Sequence, residues 1–341
     1  MKKFTVCLYG ILLLCSKWTT AQENPWTANR PDGHAPIGIM GDHYHKKGEW
    51  MFSYRIMTMG MEGARSNTEN ISSSRVHQNY MVAPQLMNMQ MHMLGVMYAY
   101  SDGLTLMMMG NYSALSMDLL GRMNADFSTK SRGVGDLSLA GLIKLYNQSR
   151  KSIHLNVGIS IPTGSIDQKD DTPMMTNAPL AYPMQLGSGT WDPVIGLTYL
   201  GQSSLLSWGW QASYKVRTGK NDNSYRLGNT FEAIGWGAVK LSQEWSFATQ
   251  LKYINRREIK GSYPALNPMM MPMFDAKNSG KDQLSLGLSA NWYFPGSLRN
   301  FRLGVSFEIP VVQDLNGIQM KTTSLLTFGI QYSFRAKKEE N

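Results

Sequence analysis

The 341-residue sequence predicts an all-β fold, a transmembrane up-and-down antiparallel β-barrel of about 12 strands, within a range of roughly 10 to 14. Three observations carry this. Long stretches alternate apolar and polar residues with period two, turn-forming clusters separate them, and the connections alternate between short and long. The pattern is plainest over Leu86–Ser113, where two alternating arms flank Ser101-Asp102-Gly103, a short turn of the kind that closes a hairpin. Leu94, Val96, Tyr98 and Tyr100 share one face, opposite Met87, Met89, Met91, Met93, Gly95, Met97 and Ala99. The face of Leu, Val and Tyr suits lipid, and the other suits a lumen.

Residues 1–21 read as a secretory signal peptide, with Lys2 and Lys3 before the apolar run Phe4–Cys15 and a cleavage site after Thr19-Thr20-Ala21. The run is too short to span a bilayer; a lipoprotein reading of Leu12-Leu13-Leu14-Cys15 is the alternative, but the bulky Leu14 fits poorly where a small residue usually precedes the lipidated cysteine. Cys7 and Cys15 both lie in this leader, so the mature chain has no disulfide, thiolate metal site or cysteine nucleophile. Three of the 33 Lys+Arg lie there too, leaving 30 against 24 Asp+Glu. No basic run interleaved with aromatics follows, which argues against nucleic acid as a partner. No run of 18 apolar residues follows either, so an inner-membrane helical protein is excluded, while nine Trp, sixteen Tyr and eleven Phe can furnish aromatic girdles.

Residues 22–47, rich in Pro and Gly and without period, predict a periplasmic N-terminal arm or plug-like segment. The barrel is expected over 48–334, followed by a polar tail at 335–341. Alternation places strands at 49–60, 86–100, 104–114, 134–146, 152–162, 190–201, 205–217, 229–241, 245–256, 283–294, 299–309 and 323–334. In each, one face repeats the same chemistry: Leu284, Leu286, Leu288, Ala290 and Trp292 oppose Gln283, Ser285, Gly287, Ser289 and Asn291. A soluble sandwich also alternates, so the connections decide. Those at 101–103, 147–151, 202–204, 242–244 and 295–298 are short, and they interleave with long ones at 61–85, 115–133, 163–189, 218–228, 257–282 and 310–322. Short periplasmic turns alternating with long outer loops are the wiring of a barrel in the outer membrane of a Gram-negative cell.

Ile161-Pro162-Thr163-Gly164-Ser165 ends one strand, and Leu186-Gly187-Ser188-Gly189-Thr190-Trp191-Asp192 opens the next. This pair resembles the PTG and LGSG pattern of an outer-membrane transporter family named for the meta-cleavage pathway of phenol degradation. The stretch Gly33–His45, with Tyr80–Pro84 and Met89–Gly95, resembles a branch of that family associated with copper and heavy-metal resistance. The resemblance spans about residues 33–334. It implies a barrel that handles a small solute, linked in that branch to soft metals. The closing strand, ending in Phe334, resembles the signal read by the barrel-assembly machinery, although the tail beyond it departs from that pattern.

Methionine is the strongest chemical signal. Met57, Met59 and Met61, then Met87, Met89, Met91 and Met93, then Met107, Met108 and Met109, then Met269, Met270, Met271 and Met273 are fourteen of the 25. Two readings stand: thioethers select Cu(I) or Ag(I), or they form an adaptable wall for apolar solutes. On the first reading, Met57, Met59, Met91, Met93, Met107 and Met109 converge on one sector, mainly in the outer half of the wall. His43 and His45, with His34 and Asp42, then form a separate periplasmic station for an imidazole-binding metal; the alternative for these histidines is a solvated or plug-docking role. Asp167, Asp170 and Asp171 are read as a solvated loop cluster rather than a Ca²⁺ site.

No enzyme is expected, because His154, Asn156 and Ser160 lie along one strand about 20 Å in extent and cannot close a triad. Nucleophile elbow, zincin and phosphate-loop motifs are lacking. The expected function is an outer-membrane transporter, channel or binding protein for a small solute, with Cu(I) or Ag(I) as the metal-linked cargo. The alternatives are an uptake channel for small apolar or aromatic compounds and a non-transporting surface metal-binding barrel. Outer-membrane lipid and lipopolysaccharide, the solute or metal ion, and the assembly machinery are the expected partners.

Overall fold

Period-two alternation becomes a closed wall in the computed structural model, which describes residues 26–335. The leader, residues 22–25 of the arm and residues 336–341 of the tail lie outside the described residues. The barrel strands are β1 (Glu49–Asn67), β2 (Val82–Ser101), β3 (Leu104–Gly121), β4 (Leu137–Gln148), β5 (Lys151–Ile161) and β6 (Asp192–Gln202). After them come β7 (Leu206–Lys215), β8 (Thr230–Lys240), β9 (Trp245–Arg256), β10 (Lys281–Tyr293) and a final run, Phe301–Arg335. Each is antiparallel to its neighbours, and the final run closes the ring on β1, with Trp50 opposite Phe334 and Ile56 opposite Phe328.

Counted as uninterrupted runs, the ring has eleven strands. The last run has 35 residues and would extend about 115 Å if straight, against a hydrocarbon core of roughly 30 Å. It therefore folds back at Asn316-Gly317, where Gly317 has φ +71°. Residues 302–315 pair with β10 and residues 315–335 with β1. Ser333 N donates to Asn300 O at 3.1 Å, so the two halves also pair with each other. The run thus supplies two crossings, here β11 (301–315) and β12 (318–335), and the wall is crossed twelve times. An even number of antiparallel crossings leaves both ends of the barrel on one side.

The expected faces hold throughout. Gln283, Ser285, Ser289 and Asn291 are buried, whereas Leu288 on the opposite face is 69% exposed. Trp50, Phe52, Phe334, Tyr332, Phe301, Phe294, Trp292 and Trp245 form a chain of ring contacts on the outer surface at the short-turn end. Such a belt suits a membrane interface.

Two expected loops are instead built of strand. Residues 115–133 continue β3 to Gly121 and return as Asp126–Val134, paired outside the ring with the distal half of β3. Alternation persists there, because Leu115, Met117 and Leu119 are all buried on the inner side. Residues 310–322 are the tip of the β11–β12 hairpin. The 61–85 connection is shortened by the extension of β1 to Asn67 and holds a one-turn helix, Ser73–Val76.

Leu288 lies four residues from Trp292 in the belt, about 13 Å along its strand and near the bilayer centre. Leu288→Arg is expected to destabilise the barrel by roughly 2–4 kcal/mol. Ser138→Arg, which points into the lumen, should fold within about 1 kcal/mol of the parent. Urea unfolding followed by heat-modifiable gel mobility tests the difference.

Candidate functional site

Backbone that enters a barrel without strand pairing needs partners from the wall. Residues 26–47 lie inside the short-turn half of the lumen, with Ala35 and Ile37 each only 1% exposed. Arg302 Nη2 donates to Ala35 O at 2.7 Å, His154 Nε2 contacts Gly41 O at 2.9 Å and Ser246 Oγ donates to Pro31 O at 2.7 Å. Gln211 Nε2 reaches Met40 O at 3.1 Å, Gln202 Nε2 reaches Thr27 O at 2.7 Å, and Ser207 Oγ donates to Asp32 O. Thr105 Oγ1 accepts from His45 N at 3.0 Å. Trp26, Ala35 and Ile39 pack on Leu200, Ile234 and Trp236. A Cβ on Gly304 or Gly329 would sit 2.8 Å from Ile37, so those two glycines make the seat for its side chain.

The long-loop end is covered differently. Leu180, Ala181 and Met184 of the 163–189 loop and Met271 and Met273 of the 257–280 loop pack on Met87, Leu115, Met117, Leu119 and Met320 of the wall. Between this cover and the N-terminal segment lies a central cavity of about 450 Å³. Met61, Met87, Met89, Met91 and Leu115 of β1–β3 line one side, and Lys215, Arg217, Arg256 and Lys281 line the other. Outside the cover, Met117, Leu119, Met123, Phe127, Met174 and Phe274 border an apolar recess of about 370 Å³ beside the β3 extension.

The PTG and LGSG segments meet where the 163–189 loop leaves and rejoins the wall. A Cβ on Gly164 would lie 2.7 Å from the Gly187 Cα, so the two backbones pass too closely for any side chain. Asp136 joins them: Oδ1 accepts from Gly164 N at 3.0 Å, and Oδ2 accepts from Ser188 N at 2.9 Å and Ser188 Oγ at 2.7 Å. Sequence reasoning missed Asp136, although it follows Gly133-Val134-Gly135 at the mouth of a strand. It also missed Arg256, Lys281 and Met320, whose juxtaposition depends on strands far apart in the chain.

The six methionines expected to form one ladder are divided. Met57 faces Met91, and Met59 faces Met89, across β1 and β2. Met93 pairs with Arg55 and Asn111. Met107 and Met109 do not reach the outer half. The β2–β3 turn lies at the short-turn end, so they line a small crevice with Met51, Met97 and Arg55 against Gly41 and Asp42.

His43 and His45 lie in the N-terminal segment with their rings 4.8 Å apart. His34, Asp42 and His43 are buried with ligand atoms all within 4.8 Å of one another. His43 Nδ1 meets Asp42 Oδ1 at 3.0 Å, and His34 Nδ1 lies 3.7 Å from Asp42 Oδ2. Burial, then the Arg302 charge and His43, holds the His34 pKa well below the usual histidine value, and burial lowers His45. Burial would raise Asp42, but His43 and His34 overcome it and hold the carboxyl well below its usual range. The three loop aspartates have local partners: Asp167 accepts from Asn223, Asp170 from Lys130 N and Asp171 from Asn177 N.

A family model described as "Putative MetA-pathway of phenol degradation" matches residues 96–311, more than half of the chain. The chain belongs to that family. Among solved structures, the COG4313 outer membrane channel from Pseudomonas putida F1 is similar with TM-score 0.63 and 15% identity, over 87% of this chain and 99% of that one. A Pseudomonas aeruginosa FadL homologue has TM-score 0.43 and 10% identity, over 91% and 98%. No curated protein matches at the sequence level. This member of the phenol-degradation family has the closed antiparallel fold of an outer-membrane β-barrel.

Acid should loosen its N-terminal segment. His34 and His45 are depressed when docked, so the released segment binds more protons once pH falls below about 6.5, and docking is fully supported only above that value. Asp42 acts in the same direction at lower pH, its contribution being lost as pH falls through its docked value. Amide exchange of residues 30–45, corrected for intrinsic rate, should quicken between pH 7.5 and 5, and a His34→Phe/His45→Phe variant should respond less.

Proposed function

We propose that the barrel is a passage for small solutes with an apolar, aromatic or aliphatic body. One observation carries the reading: the solvent-facing recess, the cover beneath it and one wall of the central cavity form a continuous series of thioether and aliphatic surfaces. Flexible thioethers fit bodies of varied shape and make favourable contacts with aromatic rings. On this reading the short turns and the N-terminal segment face the periplasm, and the recess receives solute from outside. The barrel reconstituted in lipopolysaccharide-containing liposomes should speed entry of benzyl alcohol. Met89→Asp/Met91→Asp, which places carboxylates on that wall, should reduce the increment about tenfold, since desolvating them opposes passage by more than 1.4 kcal/mol. An unchanged rate in the variant, with the fold intact, would reject the route.

A second reading, capture of a soft or borderline metal ion, has specific support from the facing thioethers Met57 with Met91 and Met59 with Met89, and from the donor cluster His34, Asp42 and His43. Thioethers would select Cu(I) or Ag(I), and the imidazoles with Asp42 a divalent ion. On this reading, Ag(I) titration of the folded barrel should show binding that weakens when Met57, Met59, Met91, Met93, Met107 and Met109 are changed to Leu. Unchanged binding assigns those methionines to packing.

A further inference from the structure

The central cavity has two unlike sides. In a ring of twelve crossings, β8 lies diametrically opposite β2. The thioether side, on β1–β3, therefore faces the side on which Lys215 ends β7, Arg217 follows it, Arg256 ends β9 and Lys281 begins β10. These cations outnumber their counter-charges. Asp192 pairs with Arg217. Glu232 and Glu308 both pair with Lys252, at 3.8 Å each. Asp136, the carboxylate in the cavity wall, already accepts from Gly164 and Ser188. Among the described residues, Lys215, Arg256 and Lys281 have no carboxylate within 4.0 Å.

Like charges gathered in a confined, partly desolvated space repel, and the repulsion persists until an anion enters. A small inorganic anion would satisfy the cations and leave the opposite wall in contact with water. A neutral apolar solute would do the reverse. A molecule with a carboxylate at one end and an apolar body at the other satisfies both sides at once, and 450 Å³ lies within the usual size range of small-molecule sites.

We propose that the central cavity is a binding site for small amphipathic carboxylates. The carboxylate rests on Arg256, Lys281 and Lys215, and the apolar body lies along Met87, Met89, Met91 and Leu115. Guanidinium and ammonium donors give charge-assisted hydrogen bonds to the carboxylate, and the thioethers meet the body. The inference rests on the reading of this cavity as part of the solute path, and it narrows that path's cargo from apolar compounds to apolar acids.

The test uses the full-length folded barrel in nanodiscs, with benzoate, benzyl alcohol and acetate as probes, binding measured calorimetrically and entry measured in liposomes. Benzoate should bind about tenfold more tightly than benzyl alcohol or acetate, one charge-assisted contact being worth about that factor. Arg256→Met/Lys281→Met should abolish the preference for benzoate over benzyl alcohol, and Arg256→Lys/Lys281→Arg should restore most of it. Met89→Gln/Met91→Gln, polar but uncharged, should weaken benzoate but not acetate. If benzyl alcohol binds and enters as well as benzoate, and the cation variant changes neither, the carboxylate site is refuted while the apolar passage stands. If acetate binds as tightly as benzoate, the site is a plain anion site and the amphipathic inference is overturned. If no probe binds or enters, the passage itself fails and the inference falls with it.

Discussion

The backbone of residues 26–47 runs through the lumen without joining the sheet, and every polar group it carries needs a partner there. Its own turns supply few, such as Gly33 N to Arg30 O and Ile39 N to Pro36 O. Pro31 and Pro36 reduce the number of donors, and wall side chains supply much of the remainder. The polar inward face of the barrel is therefore not simply a hydrated lining. In the short-turn half, Ser207, Gln211, Ser246 and Arg302 act as the hydrogen-bonding edge of a structure that has no second strand. The segment does not fill that half completely: a cavity of about 440 Å³ remains beside it, bordered by Trp26, His34, His45, Tyr293 and Arg302, and the central cavity lies above it. The segment also touches three short turns, through Trp26 N to Asn147, Arg30 to Ser203 O and Lys47 N to Asp102. Its length and the height of the wall are thus matched.

How far the sequence disclosed this depends on the range of the interaction. Inward and outward faces were legible because they follow from nearest-neighbour alternation, and burial agrees with them from Ser53 and Arg55 through Thr327 and Gln331. Element ends were less legible. Over 115–133, strand continues because a second strand, Asp126–Val134, pairs with it, and a single sequence does not reveal that partner. Over 163–189, the paired glycines of the two motifs were visible, but the carboxylate that binds them, Asp136, comes from a different strand. The cationic side of the cavity was invisible for the same reason, since Lys215, Arg256 and Lys281 are separated by dozens of residues. The family match begins at residue 96, so the N-terminal features that resembled the metal-associated branch lie outside it.

Methionine illustrates how one residue type takes two roles in one wall. Met107, together with Met51, Met97 and Leu142, packs against Tyr44 of the N-terminal segment, where an unbranched side chain can fill gaps beside irregular backbone. Met87, Met89 and Met91 border open volume instead. Inward parity is common to both groups, so parity alone could not separate packing from lining. The division follows from height in the barrel, which is set by the position of the 101–103 turn.

The two closures of the lumen differ in what opening them costs. Withdrawing residues 26–47 would strand the wall donors Arg302, Gln211 and Ser246 together with the carbonyls they bind, at about 1–3 kcal/mol for each group not reached by water. It would also expose Trp26, Ile37 and Ile39. The cover at the other end rests on contacts among Leu180, Met184, Met271, Met273 and Met117, which are non-directional and can be remade one at a time by an apolar solute sliding between them. Directional bonds break together, whereas thioether contacts are exchanged. On the proposed reading, the apolar chemistry that packs this cover would also let it admit molecules that resemble its own side chains. An apolar body that crossed the cover would next meet a wall of the same kind, Met87 and Leu115, and only then the charges on the far side.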